Sequence, residues 1–151
     1  MTQRIDHLSV VPGAMKALGS VHGYLHSQTE LGAKLIDLVF LRTSQINGCA
    51  YCIDQHSRDL IKAGMTPEKL FLVPVWREAL PLFDEREQAA LAFTEVVTGV
   101  AETEVPDVDY QAAAKVFSEK DLADLVVTIA LMNAYNRIGV TFRLTPKAAA
   151  A

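Results

Sequence analysis

A chain of 151 residues, half of them hydrophobic, has the length of one domain and enough apolar material for a packed core, which excludes a disordered polypeptide. The formal net charge of −4, with basic residues scattered and never in a run, argues against a nucleic-acid partner. The opening MTQRIDHLSV puts Arg4, Asp6 and His7 where a secretory leader is apolar, and no apolar run approaches the roughly 18 residues of a membrane span, so a cytoplasmic protein without a membrane partner is expected.

The predicted elements are helical throughout: an all-α, single-domain chain over 1–151. Near the start, His22, His26 and Glu30 recur every four residues and would suit a metal on a helix, but Gly23 weakens the helix. A solvated polar face is the plainer reading, and they are assigned no role. From Leu31 to Ile46, the positions Leu35, Ile36, Val39, Phe40 and Ile46 follow the helical period, and Leu38 and Leu41 extend the apolar surface to a second face. This predicts a central helix covered on two sides. Asp37 lies within reach of Lys34 on it, where a solvated ion pair is the plainest reading.

Gly48 interrupts the pattern, a second helix is expected from Ala50 to Ala63, and Gly64 is placed to cap it in the left-handed region. Thr66 and Pro67 mark the next start as N-cap and first helical residue. Leu70 to Trp76 fits no single period; Trp76 is expected to anchor the core or a subunit contact. Asp84 with Glu87 forms a capping-box entry to a helix carrying Leu91, Val96, Val97 and Val100, and Asp107 opens a short one reaching Phe117. Ser118 with Asp121 starts the last long helix. Its stripe of Leu122, Leu125, Val126, Ile129 and Met132 runs on to Asn133 and Asn136, amides that either bond between helices or line a pocket. The Ala148–Ala151 tail is expected to fray.

Both cysteines of the chain fall in QINGCAYCIDQH, residues 45–56. At about 100° per residue, with Cys49 at zero, Cys52 lies near −60° and His56 near −20°, so all three share one sector of the second helix. Cys49 stands at a helix N-terminus, which favours thiolate, and Cys52 is one turn before an imidazole able to take its proton. The spacing suits a disulfide in which one sulfur attacks an oxidant and the other resolves the sulfenic acid, the cycle of a peroxidase or a dithiol reductase. Zinc on Cys49, Cys52 and His56 would want a further ligand that no third cysteine supplies, and no metal or other cofactor is expected. Two buried cysteines acting as small hydrophobes would not explain the polar neighbours Asn47, Asp54 and Gln55, and a thioredoxin-like domain would need strands. Asp37, twelve residues before Cys49, would fold back towards His56 through a tight turn at Asn47–Gly48.

With LVFLRTSQINGCAYCIDQH, LVPVWRE and NAYNR, the chain closely resembles the alkylhydroperoxidase D-like (AhpD-like) branch of the carboxymuconolactone decarboxylase superfamily, from about Leu31 to Arg143. The resemblance implies an all-α fold, a homo-trimer or homo-hexamer, and peroxidase activity on a hydroperoxide substrate with a thiol or dithiol electron donor. It implies roles too: Cys52 attacks peroxide, Cys49 resolves, His56 relays the proton, and Asp37 is the acidic member. Asp37 is one methylene shorter than the Glu usual there, which predicts a relay through water or none; Tyr51 stands where some relatives carry a second histidine. The decarboxylases of the superfamily generally lack the cysteine pair, which disfavours that reaction. A redox sensor or assembly module whose cysteines only register oxidation is the non-enzymatic alternative.

Overall fold

The computed structural model describes residues 2–149, and every regular element among them is helical. α1 (His7–Val10) and α2 (Pro12–Gln28) precede α3 (Ala33–Asn47) and α4 (Ala50–Lys62); α5 (Pro67–Leu72) leads into two 3₁₀ turns, Val73–Glu78 and Leu80–Leu82. Then follow α6 (Glu85–Thr98), α7 (Val100–Thr103), α8 (Asp107–Ala114) and α9 (Glu119–Phe142). α3 packs against α4, α6 and α9 at once, and Ile36, Leu38, Val39, Phe40 and Leu41 are all at most 1% exposed. Burying each such side chain contributes roughly 1.5–3 kcal/mol, which makes α3 the helix the others assemble on.

The two apolar faces of α3 are therefore covered within the chain itself. Ile46 at the end of α3 is the exception, 41% exposed, and further apolar surface stands on Phe71, Leu72, Val75, Leu80 and Leu82 of α5 and the turns after it. The helix ends obey local chemistry. Gly64 closes α4 at φ +85°, with Met65 N–H donating to Leu60 O. The Thr66 hydroxyl caps α5, the Asp84–Glu87 box forms reciprocally at α6, and the Ser118 hydroxyl accepts from Asp121 N–H at α9.

Several expectations are corrected, and the stretch Leu70–Trp76, which fits no single period, resolves with Trp76 in the core, one of the two places expected for it. The stretch holding His22 and His26 is the helix α2 despite Gly23, because its buried Leu25 and half-buried Leu18, Val21 and Tyr24 dock on the core. Val100 is exposed beyond Gly99, where α6 has ended, and Val126 faces outward. The segment at Val73–Glu78 is 3₁₀, kinked at Val75, and Trp76 is buried within it. Of the tail, Ala148 N–H is held by Asp54 Oδ2 at 3.2 Å, whereas Ala150 and Ala151 lie outside the described residues.

α9 is also long and apolar enough to cross a membrane, with a mean hydropathy of 1.3 over 18 residues, contrary to the expectation that no run approaches such a length. It is a core helix here. Its buried polar groups bond to other helices: Tyr24 Oη donates to Asp124 Oδ1 at 2.9 Å, and Asn47 Nδ2 donates to both Asn133 Oδ1 and Asn136 Oδ1 at 3.0 Å. Asn136 Nδ2 in turn donates to Ser44 Oγ at 3.0 Å, so the two asparagines clamp the end of α3 to α9.

Candidate active site

The site is built on the joint between α3 and α4. Gly48 adopts φ 69° and ψ 32°, a conformation that a side chain makes costly, and it ends α3 while Cys49 N–H donates back to Ser44 O at 3.0 Å. The chain turns so tightly there that Cys49 becomes the N-cap of α4. Its sulfur accepts from Cys52 N–H at 3.4 Å, and a disulfide joins Cys49 to Cys52.

The same turn lays α4 back along α3 and brings His56 to Asp37, with Nδ1 and Oδ1 3.1 Å apart. The contact is direct, although the shorter acid predicted a water or no relay: the close approach of the two helices makes up the missing methylene. Among the described residues the partner of Asp37 is His56 and not Lys34. An ionised carboxylate only accepts, so Nδ1 of His56 carries the hydrogen and Nε2 keeps a lone pair free to take a proton. The Phe40 ring, 5.0 Å from that of His56, backs the imidazole with an apolar wall.

A cleft of about 950 Å³ opens above these groups, lined by Cys52, His56, Tyr51 and Gln55 of α4, by α2 and α9, and by residues 3–8. Cys52 borders it. Cys49 does not; it is 1% exposed and lies under Gly139 of α9, where an added Cβ would come 2.9 Å from its sulfur and 3.5 Å from that of Cys52. Real Cβ atoms essentially never approach that closely, so only glycine lets α9 cover the disulfide. Sequence reasoning missed Gly139, whose one signal is a glycine inside an otherwise helical stretch.

It also missed His22. This ring packs against Phe40 with centroids 5.8 Å apart, lines the cleft with His56, and is half-buried instead of solvated. Burial, together with the nearby imidazoles of His26 and His56, pushes its pKa below the ordinary 6.5, against the smaller pull of Asp37 and Asp59. Tyr135, on the α9 side of the cleft, has its pKa raised by burial, which keeps the phenol protonated.

The residues with metal-ligating geometry are Asp37, His56 and Asp59, whose ligating atoms lie within 4.8 Å of one another. That differs from the cysteine-containing set considered from sequence, since both sulfurs are in the disulfide. Each of the three already has partners in the chain: Asp37 and His56 hold one another, and Asp59 accepts from Gln55 Nε2 at 2.7 Å and approaches Lys62 Nζ at 3.5 Å.

Residues 12–96 match the model of the carboxymuconolactone decarboxylase family. The chain is 32% identical over 140 residues to the uncharacterized protein YdfG of Bacillus subtilis, covering 93% of this chain and 94% of that one. Among solved structures it is similar to a protein of unknown function from Agrobacterium tumefaciens, a candidate antioxidant defence protein AhpD, at 35% identity and a TM-score of 0.91 over 96% and 98% of the two chains. It also shares the fold of a peroxidase-related protein from Ralstonia eutropha described as an alkylhydroperoxidase AhpD core, at 24% identity and a TM-score of 0.80 over 93% of this chain and 74% of that one.

Proposed function

The chain belongs to the carboxymuconolactone decarboxylase family, and on that premise we propose that it is a thiol-dependent hydroperoxide reductase. The observation that carries this reading is a disulfide across one helical turn, of whose two cysteines Cys52 alone borders a cleft shared with an imidazole held by a carboxylate. In the reduced protein, His56 Nε2 takes the proton of Cys52, and Asp37 steadies the imidazolium. The Cys52 thiolate attacks the terminal oxygen of R–O–O–H; the O–O bond breaks, the alkoxide leaves with the proton from His56 as R–OH, and Cys52 becomes a sulfenic acid. Cys49 then attacks the Cys52 sulfur, water leaves, and the disulfide forms; a dithiol donor reduces it by exchange and ends as a disulfide itself. The net reaction consumes one hydroperoxide and one dithiol and releases one alcohol, one water and the donor as its disulfide.

A helix N-terminus favours Cys49 as the attacking thiol, but Cys49 is covered by Gly139 whereas Cys52 faces the cleft one turn before the general base. Cys52→Ser should therefore abolish the single-turnover reaction with hydroperoxide. Cys49→Ser should react once and stall as a sulfenic acid that dimedone traps and intact-mass measurement detects. Trapping on Cys52→Ser instead would reverse the two roles, and no reaction in either variant or the parent would remove the peroxidase reading.

A further inference from the structure

Asp59 stands one turn beyond His56 on α4 and takes no part in the peroxide chemistry. Its carboxylate nevertheless lies in the reactive region: one ligating atom each from Asp37, His56 and Asp59 falls within 4.8 Å of the others. α3 supplies one of these side chains and α4 the other two, three residues apart on one helix face, so the set exists only because α4 folds back along α3. It includes neither cysteine.

The present partners of these groups leave room for an ion. Nδ1 of His56 and Oδ1 of Asp37 are 3.1 Å apart, whereas two such ligands on one tetrahedral zinc stand roughly 3.3–3.5 Å apart, so an ion enters between them with a movement of a few tenths of an ångström. Asp59 is held by the neutral amide of Gln55 at 2.7 Å and approached by Lys62 Nζ at 3.5 Å, the lysine side chain being 75% exposed. With the imidazoles neutral, Asp37 and Asp59 carry two negative charges against the single positive charge of Lys62, a surplus that a divalent cation cancels. His22 lies close enough to feel both carboxylates as well as His56, and its ring is 4.4 Å from that of His26. Imidazole among the donors favours zinc over magnesium or calcium, which take oxygen ligands.

We propose that Asp37, His56 and Asp59 form a zinc site with a water in the fourth position, and that zinc bound there switches off His56 as a base. The ion binds Nδ1 of His56, and the hydrogen of that nitrogen passes through solvent to Nε2. The ring gains no net proton and loses the lone pair that would take the proton of Cys52. Zinc binding and peroxide chemistry therefore exclude one another at His56. The site stands apart from the hydroperoxide reductase reading, on which only its effect on turnover rests.

The disulfide form, in which neither sulfur is available as a ligand, is titrated with Zn²⁺ by isothermal calorimetry at neutral pH in the parent, Asp59→Asn, Lys62→Ala and the double variant His22→Gln/His26→Gln. One zinc per chain is expected in the parent, with affinity ~10-fold or more lower in Asp59→Asn and a few-fold higher in Lys62→Ala. Long-range ¹H–¹⁵N NMR of the His56 ring should show hydrogen on Nδ1 before zinc and on Nε2 after it. Absence of binding in the parent overturns the proposal, as does equal affinity in Asp59→Asn or a tautomer that zinc leaves unchanged. Binding lost in the double variant but kept in Asp59→Asn would place the ion on α2 and overturn it too. Thermal melting confirms that Asp59→Asn is folded, and Asp59→Glu, which keeps the charge, should restore part of the affinity. Without zinc, Asp59→Asn should consume hydroperoxide as fast as the parent; if neither does, the reductase reading falls and the calorimetry still decides the zinc site.

Discussion

Two carboxylates meet side chains of α3 or stand on it, and they are employed in opposite ways. Glu95 of α6 accepts at Oε1 from Arg42 Nε at 2.8 Å and from Trp76 Nε1 at 3.0 Å, while Oε2 takes Arg77, whose guanidinium also stacks over the Trp76 ring at 4.4 Å. Asp37 of α3 holds a single imidazole, whose second nitrogen remains free. The first site borders a depression of about 210 Å³ and the second a cleft of about 950 Å³. A carboxylate held by two guanidinium groups and an indole serves to pin the kinked 3₁₀ segment to the core. A carboxylate that orients one titratable ring leaves that ring able to move a proton. What separates the two sites is a free ring nitrogen beside open space, more than the charges themselves.

The widest gap between the regions should come from His56→Ala. Its first turnover with hydroperoxide is expected to fall by ~10²-fold or more at neutral pH, and to recover in part as pH rises towards the free thiol value of about 8.5, where Cys52 ionises unaided. Stopped-flow kinetics across pH checks this, and a fall that persists unchanged at high pH would make the ring structural.

A crossed pair comes next. Asp37→Asn should slow the same step by ~10-fold, because the amide no longer fixes the tautomer of His56, while the melting temperature stays near that of the parent. Glu95→Gln should do the reverse, costing about 1–2 kcal/mol of stability with turnover retained. The acid limb identifies the cause. Burial alone would raise the pKa of Glu95, but hydrogen bonds from Arg77, Trp76 and Arg42 outweigh it and hold the carboxyl below its ordinary 4.5. The folded state thus binds fewer protons than the unfolded one below that pH, so the stability Glu95 contributes is present above 4.5 and lost as pH falls through its native pKa. Urea midpoints of parent and Glu95→Gln should converge on acidification; parallel curves would assign the loss to packing.

The smallest effect is assigned to His22, which lies beside the reactive region but outside its proton path. Its native pKa lies below 6.5, so between the unfolded and native values the unfolded chain binds more protons and stability drops as pH falls. The ring is half-exposed and solvent screens most of this, so His22→Gln should flatten the loss of stability between about pH 7 and 5 by no more than a few tenths of a kcal/mol. A steeper acid loss in the variant would reverse the sign.

What could be read from the chain alone was chemistry that stays within a helical turn or two. Gly48, Gly64, Thr66, the Asp84–Glu87 box and Ser118 mark helix ends because a cap is a contact between near neighbours, and each lies at such an end. The shared sector of Cys49, Cys52 and His56 follows from the helical period alone. The role of Asp37 was visible only as a spacing of twelve residues; its direct bond to His56 depends on how closely α3 and α4 pack, which no count of residues contains. α2 was obscured because Gly13, Gly19 and Gly23 lower its intrinsic helicity, and it is stabilised by docking Leu25 on the core. Gly139 against Cys49, Asn136 against Ser44 and Arg4 against Phe142 join positions 90, 92 and 138 residues apart. The sequence by itself determined the capped helix ends and the shared sector of Cys49, Cys52 and His56, since those depend on local backbone geometry; the tertiary structure alone decided which cysteine borders the cleft, what holds the imidazole and how large the cleft is, because each is set by the approach of helices distant in the chain.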